Sequence, residues 1–536
     1  MSLNLASALQ QSAALYPADT AIICGDRSYT FAELERWTGK IAEFFLFQGV
    51  RKGDHILLLA PNVPEFTAIY YAALRIGAVV VPINVQLLSQ EIADILEHSD
   101  AKHVVVWHTL AEKGLEAFEK TDSCINIFFI GAKRCDLPEN VLGHYTMGPL
   151  HRPVKFVLDE LLDELPGNAD YAQTSPDDTA VILYTSGTTG KSKGVELTHF
   201  NLFSNALYAQ DRTLFIKHGD TAIAVLPLFH TFGQTAMQNA PLLAGAAIVM
   251  IPHFEVRKAL GEMEKHKVTH IAAVPTMYNL MLQMLRRRQY DLAHLRAAIS
   301  GGASLPAELY SEFEKIFHFP INEGYGLSET SPIVCMTHAV EPHAALLGQR
   351  CAVNKPGSIG PPIYGAEVKI MREDGAFADT EEAGELVVRG HNVMKGYYKD
   401  SAATEAAFVN GWFKTGDIAK CDADGYVYIL DRAKDVIIRA GMNIYPREIE
   451  EVLHHHPAVQ EAAVVGIADE TLSESVIAFV VRAADSPVTV SELQKYCREH
   501  LALYKCPKTV VFQDTLPKNS TGKIQKRDLK KSWCSR

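Results

Sequence analysis

A chain of 536 residues with 48% hydrophobic and 21% charged content exceeds one ordinary core and excludes a disordered or fibrous protein; a large domain plus at least one smaller one is expected. The formal net charge of -12 argues against a nucleic-acid binder. Nine cysteines with no C-x-x-C pair exclude a disulfide or zinc framework and read as reduced thiols in a cytosolic setting.

The opening residues, MSLNLASALQQSAALYP, lack a basic stretch followed by an apolar one, so no secretory signal is read and a cytoplasmic location is expected. Apolar β-rich runs then alternate with helical patterns. Strands are predicted at 55–59, 79–82, 104–107, 180–184, 221–226, 247–251, 270–273 and 297–300, with a helix at 64–76. This rhythm predicts an α/β fold of mostly parallel sheets flanked by helices. The apolar stretch 240–252 is too short to span a bilayer and reads as a buried strand with its flanks, so no integral membrane segment is expected.

From about residue 357 the pattern changes to short strands with Gly, Pro and Asp turns, at 357–362, 367–371, 384–389 and 426–430, which predicts a β-rich subdomain over 357–430. A charged turn at 431–435 follows. Pro446 and a run of acids then open a helix. The chain therefore divides into an N-terminal domain over 1–430, a hinge over 431–435 and a small α+β C-terminal domain over 436–536. Residues 503–536 carry nine Lys/Arg against two Asp, which reads either as a solvated helical tail or as a surface for a polyphosphate or an acidic carrier. The run His454, His455 and His456 has no matching carboxylate or Cys pattern and reads as solvated.

The strongest local signal is YTSGTTGKSKG at 184–194, directly after an apolar strand. Glycines let backbone N–H groups approach phosphate oxygens, while hydroxyls and ammonium groups offset their charge. Thr185, Ser186, Gly187, Thr188, Thr189, Gly190, Lys191 and Lys193 are thus candidates for gripping a polyphosphate. A Walker A loop is excluded, because Thr185 stands where its first Gly belongs.

These residues and six further motifs, LPLFHTFG (226–233), GYGLSET (324–330), GELVVRG (384–390), WFKTGD (412–417), DRAKDVII (431–438) and LPKNSTGKI (516–524), resemble the acyl-adenylate-forming superfamily. That superfamily includes acyl-CoA synthetases, peptide-synthetase adenylation domains and firefly luciferase; the text is most similar to medium- and long-chain fatty-acid CoA ligases. The resemblance spans nearly the whole chain. It implies ATP, Mg2+ and coenzyme A as small-molecule partners and a fatty acid as the second substrate.

Several roles follow from the resemblance. Tyr325 would stack on adenine beside Gly301, Gly302, Ala303, Gly324 and Gly326, Ser328 would touch the α-phosphate and Glu329 would hold Mg2+. Asp417 would accept from both ribose hydroxyls with Arg432 assisting. Lys523 would bridge the attacking carboxylate and the α-phosphate, and Lys434 would be the hinge about which a mobile C-terminal domain swaps. Gly441 would line the pantetheine tunnel. His230 would sit beside the carboxylate, in an acyl pocket completed by Phe232, Gln234, Val274, Gly302 and Gly324. Catalysis would fall to Lys523, Glu329, Thr185 and His230.

The walls of that pocket carry no Arg or Lys, which a dicarboxylate would need, and no Asp near His230, which an amino acid would need. An apolar acyl chain suits them best. Three alternatives stay open: loading of an acyl-carrier protein, luciferase-like oxygen chemistry, and a non-catalytic binder. A homodimer is expected by family analogy alone.

Overall fold

The computed structural model describes residues 2–131, 154–158, 162, 164–186, 192–337, 355, 357–439, 442–469, 472–483, 486–518 and 523–534. Among them the strands form four sheets. One runs, in spatial order, Ile333–Met336, Asn322–Gly326, Ala297–Ser300, His270–Ala273, Thr221–Ala224, Ala247–Met250, Thr20–Cys24 and Arg27–Thr30, parallel except for the strand at each end. A second runs Gly396–Tyr397, Ser192–Thr198, Thr179–Ser186, Val79–Pro82, His55–Leu59, Ala101–Trp107, Asn126–Ile130 and Val154–Val157. It is parallel apart from the hairpin 179–198 and the short strand beyond it. Strands buried on both faces should be apolar throughout, and VVVP at 79–82 is fully buried.

The helix Pro64–Arg75 is buried along its entire length. Proline at its first turn starts it without losing a useful N–H, and apolar character all around suits a helix with no solvent face. Its buried end charge, Arg75, is met by Glu35 at 2.8 Å and lies over the Tyr171 ring. A smaller antiparallel sheet combines Ala366–Met371, Gly384–Gly390, Trp412–Cys421, Phe408–Val409 and Val427–Arg432. The C-terminal domain has its own sheet of Met442–Ile444, Ile437–Arg439, Ser473–Arg482, Val459–Asp469 and Thr509–Phe512, covered by helices Pro446–His454, Val490–His500 and Lys526–Cys534. The architecture is therefore a large N-terminal α/β domain with mixed sheets and a smaller C-terminal domain. No helix among the described residues is long and apolar enough to cross a membrane.

Three expectations need correction. Residues 357–362 form no strand and make only single bridges, Gly360 to Val427 and Pro362 to Cys335, because Gly and Pro interrupt the ladder. Stretch 240–252 holds the expected buried strand, Ala247–Met250, and its leading flank is a helix, Ala240–Ala244, that ends at the left-handed Gly245. Residues 503–536 are no simple helical tail, since the β-branched TVVF pairs in parallel with Ser473–Arg482. Of the His run, His455 is exposed as read, 3.1 Å from Glu308, while His454 and His456 are half-buried, the His456 ring packing edge-on to Tyr496.

The C-terminal domain touches the preceding sheet at its first helix. The Arg447 backbone N–H donates to Asp431 at 2.8 Å, and its guanidinium donates to the Ile429 carbonyl at 2.9 Å.

Candidate active site

The glycine-rich segment is the tip of a hairpin. Thr185 pairs with Lys193 and Ser186 with Ser192, so both hairpin arms enter the loop in register. Residues 187–191, with the candidates Gly187, Thr188, Thr189, Gly190 and Lys191, lie outside the described residues, as does Gly441. Gly194, paired with Tyr184 near the tip, packs tightly, since a Cβ there would stand 2.9 Å from Ile182 Cγ2 and would force that side chain to shift.

Across from the hairpin, the strand Asn322–Gly326 leads into the short helical turn Ser328–Thr330. Tyr325 is brought against Asp417, to which its hydroxyl donates. Asp417, whose side chain is 3% exposed, also receives the Arg432 Nε at 2.7 Å. A carboxylate offers about four lone-pair positions, so capacity for further donors such as ribose hydroxyls remains. Arg432 is the last residue of the strand Val427–Arg432, and Lys434 lies exposed in the turn after it.

Lys523 comes to the same place from the other domain. Its side chain keeps an exposed surface, yet desolvation by the surrounding protein and repulsion from Arg432 and Lys434 lower its pKa to about 8, against the opposing pull of Asp417 and Asp435. An ammonium lowered this far gains from any added negative charge, which a polyphosphate supplies. Asp417, Arg432 and Lys523 are therefore one electrostatic group.

The residues expected around the acyl group converge partly. A Cβ on Gly301 would stand 3.0 Å from the Phe232 ring and 3.2 Å from the Gly324 carbonyl, and one on Gly302 would stand 3.6 Å from Val274. Phe232, Val274, Gly301, Gly302 and Gly324 thus share one locus, with Ala303 exposed beside it. Gln234, on the same short helix as Phe232, is fully buried and accepts from Tyr70 of the helix Pro64–Arg75 at 3.4 Å. His230 caps the helix Thr231–Gln234, its Nδ1 accepting the Phe232 N–H at 3.2 Å. Burial lowers its pKa to about 4, so the ring is neutral and the remaining proton sits on Nε2 as a donor.

Glu329 is half-buried, and one of its oxygens accepts from the Tyr397 hydroxyl at 3.1 Å. Its other lone pairs are left for a ligand. No cluster of three His, Cys, Asp or Glu side chains suited to a metal occurs among the described residues. A single hard carboxylate fits Mg2+, which keeps waters and takes phosphate oxygens, and does not fit a zinc or calcium cage. Tyr397 escaped the sequence reading. Its GYYKD context carries a signal only once the strand Gly396–Tyr397 is seen to pair with the phosphate hairpin.

Comparison with known proteins bears on the family of the chain. The AMP-binding enzyme family model matches residues 9–398 and the AMP-binding enzyme C-terminal domain model matches 448–523. A long-chain-fatty-acid–CoA ligase of Bacillus subtilis (strain 168) is 35% identical, over 98% of this chain and 94% of the relative. ATP-bound MatB from Rhodopseudomonas palustris is similar in structure, with TM-score 0.86, 29% identity and 99% of each chain covered. So is o-succinylbenzoate coenzyme A synthetase (MenE) from Bacillus subtilis in complex with ATP and magnesium ion, with TM-score 0.81, 33% identity, and 98% of this chain and 99% of that one covered. With both of its domains matched in order, the chain belongs to the AMP-binding enzyme family, within the acyl-adenylate-forming superfamily.

Proposed function

We propose that this protein is an AMP-forming acid–CoA ligase whose acid is a medium- or long-chain fatty acid. The observation that carries the ligase reading is the meeting of Lys523, from the C-terminal domain, with Asp417 and Arg432 of the N-terminal domain. In the first half-reaction the fatty carboxylate attacks the α-phosphorus of ATP, forming an acyl–phosphate anhydride and releasing pyrophosphate. Two anions must approach, so positive charge at the reacting centre lowers the barrier most. Lys523 supplies it at the α-phosphate, Arg432 and Lys193 at the flanking groups, and the His230 Nε2–H donates to the carboxylate. Glu329 would hold Mg2+, which neutralises triphosphate charge when bound. In the second half-reaction the CoA thiol attacks the acyl carbon, its proton leaves and AMP departs. Lys434 is the proposed hinge that removes Lys523 between the two.

The fatty-acid reading is supported by the locus of Phe232, Val274 and glycines, with no cation in its sequence. The relatives point to more than one acid, a long-chain fatty acid in one and o-succinylbenzoate in another. A second reading, an acid carrying an oxygen acceptor, is favoured by the NH2 groups of Gln234, Gln238 and Asn239, buried without an acceptor among the described residues within a few turns of His230. Mass spectrometry after incubation with MgATP, with and without CoA, over short, medium, long, hydroxylated and aryl acids decides between them. CoA thioesters of fatty acids are expected. Acyl-AMP that accumulates and ignores CoA would instead identify a carrier protein as the acceptor.

The low pKa of Lys523 gives a pH signature. The charged ammonium is the active form, so kcat/KM for adenylation in the free enzyme should be full below pH 8 and fall as pH rises through about 8. Bound ATP adds negative charge and restores the ammonium, so the corresponding limb of kcat should move to higher pH. A kcat/KM profile flat to pH 10 would remove Lys523 from this step.

A further inference from the structure

One side chain touches both the phosphate hairpin and Glu329. Tyr397 lies on the strand Gly396–Tyr397, which adds to the hairpin's edge in the register Tyr397 to Val195 and Gly396 to Glu196. The segment is fixed on both sides by backbone bonds: Lys395 N–H to the Glu196 carbonyl at 3.0 Å, Tyr398 N–H to Gly194 at 2.7 Å and Met394 N–H to the Glu329 carbonyl at 2.8 Å. The Asn392 amide donates to the Ile333 carbonyl at 2.9 Å, and the Ser331 hydroxyl to the Asn392 carbonyl at 2.8 Å. The Tyr397 N–H itself donates to Thr404 at 2.9 Å. The ring therefore has a defined place: its hydroxyl donates to Glu329 Oε1 at 3.1 Å, and the Lys193 ammonium lies 4.7 Å above its centroid.

We propose that Tyr397 is a positioning residue which fixes Glu329 and Lys193 relative to one another before ATP arrives. The hydroxyl holds one carboxylate oxygen, so the other is presented in a single orientation. The ring face steadies an ammonium that would otherwise sweep a wide arc on its four-carbon stem. The two charges meant for one triphosphate are thus set by one residue on a third strand. This rests on the proposed reading of Glu329 as the Mg2+ ligand.

The test is calorimetric titration of the full-length protein with ATP, once in excess EDTA and once in saturating Mg2+. Tyr397→Phe keeps the ring and removes the hydroxyl. It should bind metal-free ATP like the wild type and lose about tenfold of the gain that Mg2+ confers. Tyr397→Leu should in addition weaken metal-free ATP by about threefold, as the ring under Lys193 is lost. A Tyr397→Phe protein with unchanged thermal midpoint and the full Mg2+ gain would overturn the proposal. Glu329→Gln in the same titration separates the two readings. If it retains the gain, the metal reading of Glu329 falls and this proposal with it; if it loses the gain while Tyr397→Phe does not, only the tyrosine's role falls.

Discussion

Lys523→Ala should cut acyl-adenylate formation by about two to three orders of magnitude, roughly 3–4 kcal/mol of barrier, while supplied acyl-AMP and CoA still give the thioester at a normal rate. The argument is electrostatic. Attack of a carboxylate on the α-phosphate adds charge where charge is already high, and Lys523 is the cation that the C-terminal domain brings beside Asp417 and Arg432. Its pKa is lowered because desolvation and the repulsion of Arg432 and Lys434 outweigh the pull of Asp417 and Asp435, so the ammonium gains when a further anion arrives. Pyrophosphate exchange measures the first step and thioester formation from synthetic acyl-AMP the second. Equal loss in both would mean that the substitution damages the domain and not one half-reaction.

Gly326→Ala should abolish ATP binding and lower stability by about 3 kcal/mol, at the upper end for overpacking. A Cβ at this position would stand 1.7 Å from the Pro332 carbonyl oxygen and 2.6 Å from its carbon. Both are backbone atoms, so relief requires moving the chain. Leu327 N–H donates to that same carbonyl, and the segment between holds Ser328 and Glu329, with Tyr325 on the other side. Any shift therefore displaces the adenine and metal candidates together. Gly416→Ala is the informative comparison. Gly416 has φ +73 with open space around it, so alanine meets only left-handed backbone strain, about 1 kcal/mol. Urea denaturation and ATP titration of the two variants should differ sharply; similar behaviour would show that the 325–332 turn yields easily.

What the sequence made legible was what is local. Strands such as 270–273 and 297–300 announce themselves because both faces are buried and every residue except His270 is apolar or small. The hairpin 179–198 is legible from an apolar strand that runs into glycines and hydroxyls. Contacts between distant elements left no local trace. That Tyr325 donates to Asp417, that Tyr397 reaches Glu329, and that Gln234 accepts from Tyr70 depend on packing across 92, 68 and 164 residues of chain respectively. Stretch 357–362 misled because two single bridges satisfy its backbone without a ladder. The basic tail misled because its charge count conceals TVVF.

Arg447 binds Asp431 and the Ile429 carbonyl, and both partners precede Lys434 in the chain while Arg447 follows it. A swing about Lys434 has to sever both bonds at once. Under the proposed reaction the resting protein is therefore loaded toward its first task, with acid and ATP meeting an assembled centre. Admitting the thiol by such a swing would cost those two bonds, about 1–3 kcal/mol together, a bias that favours reaction of acid and ATP before CoA enters.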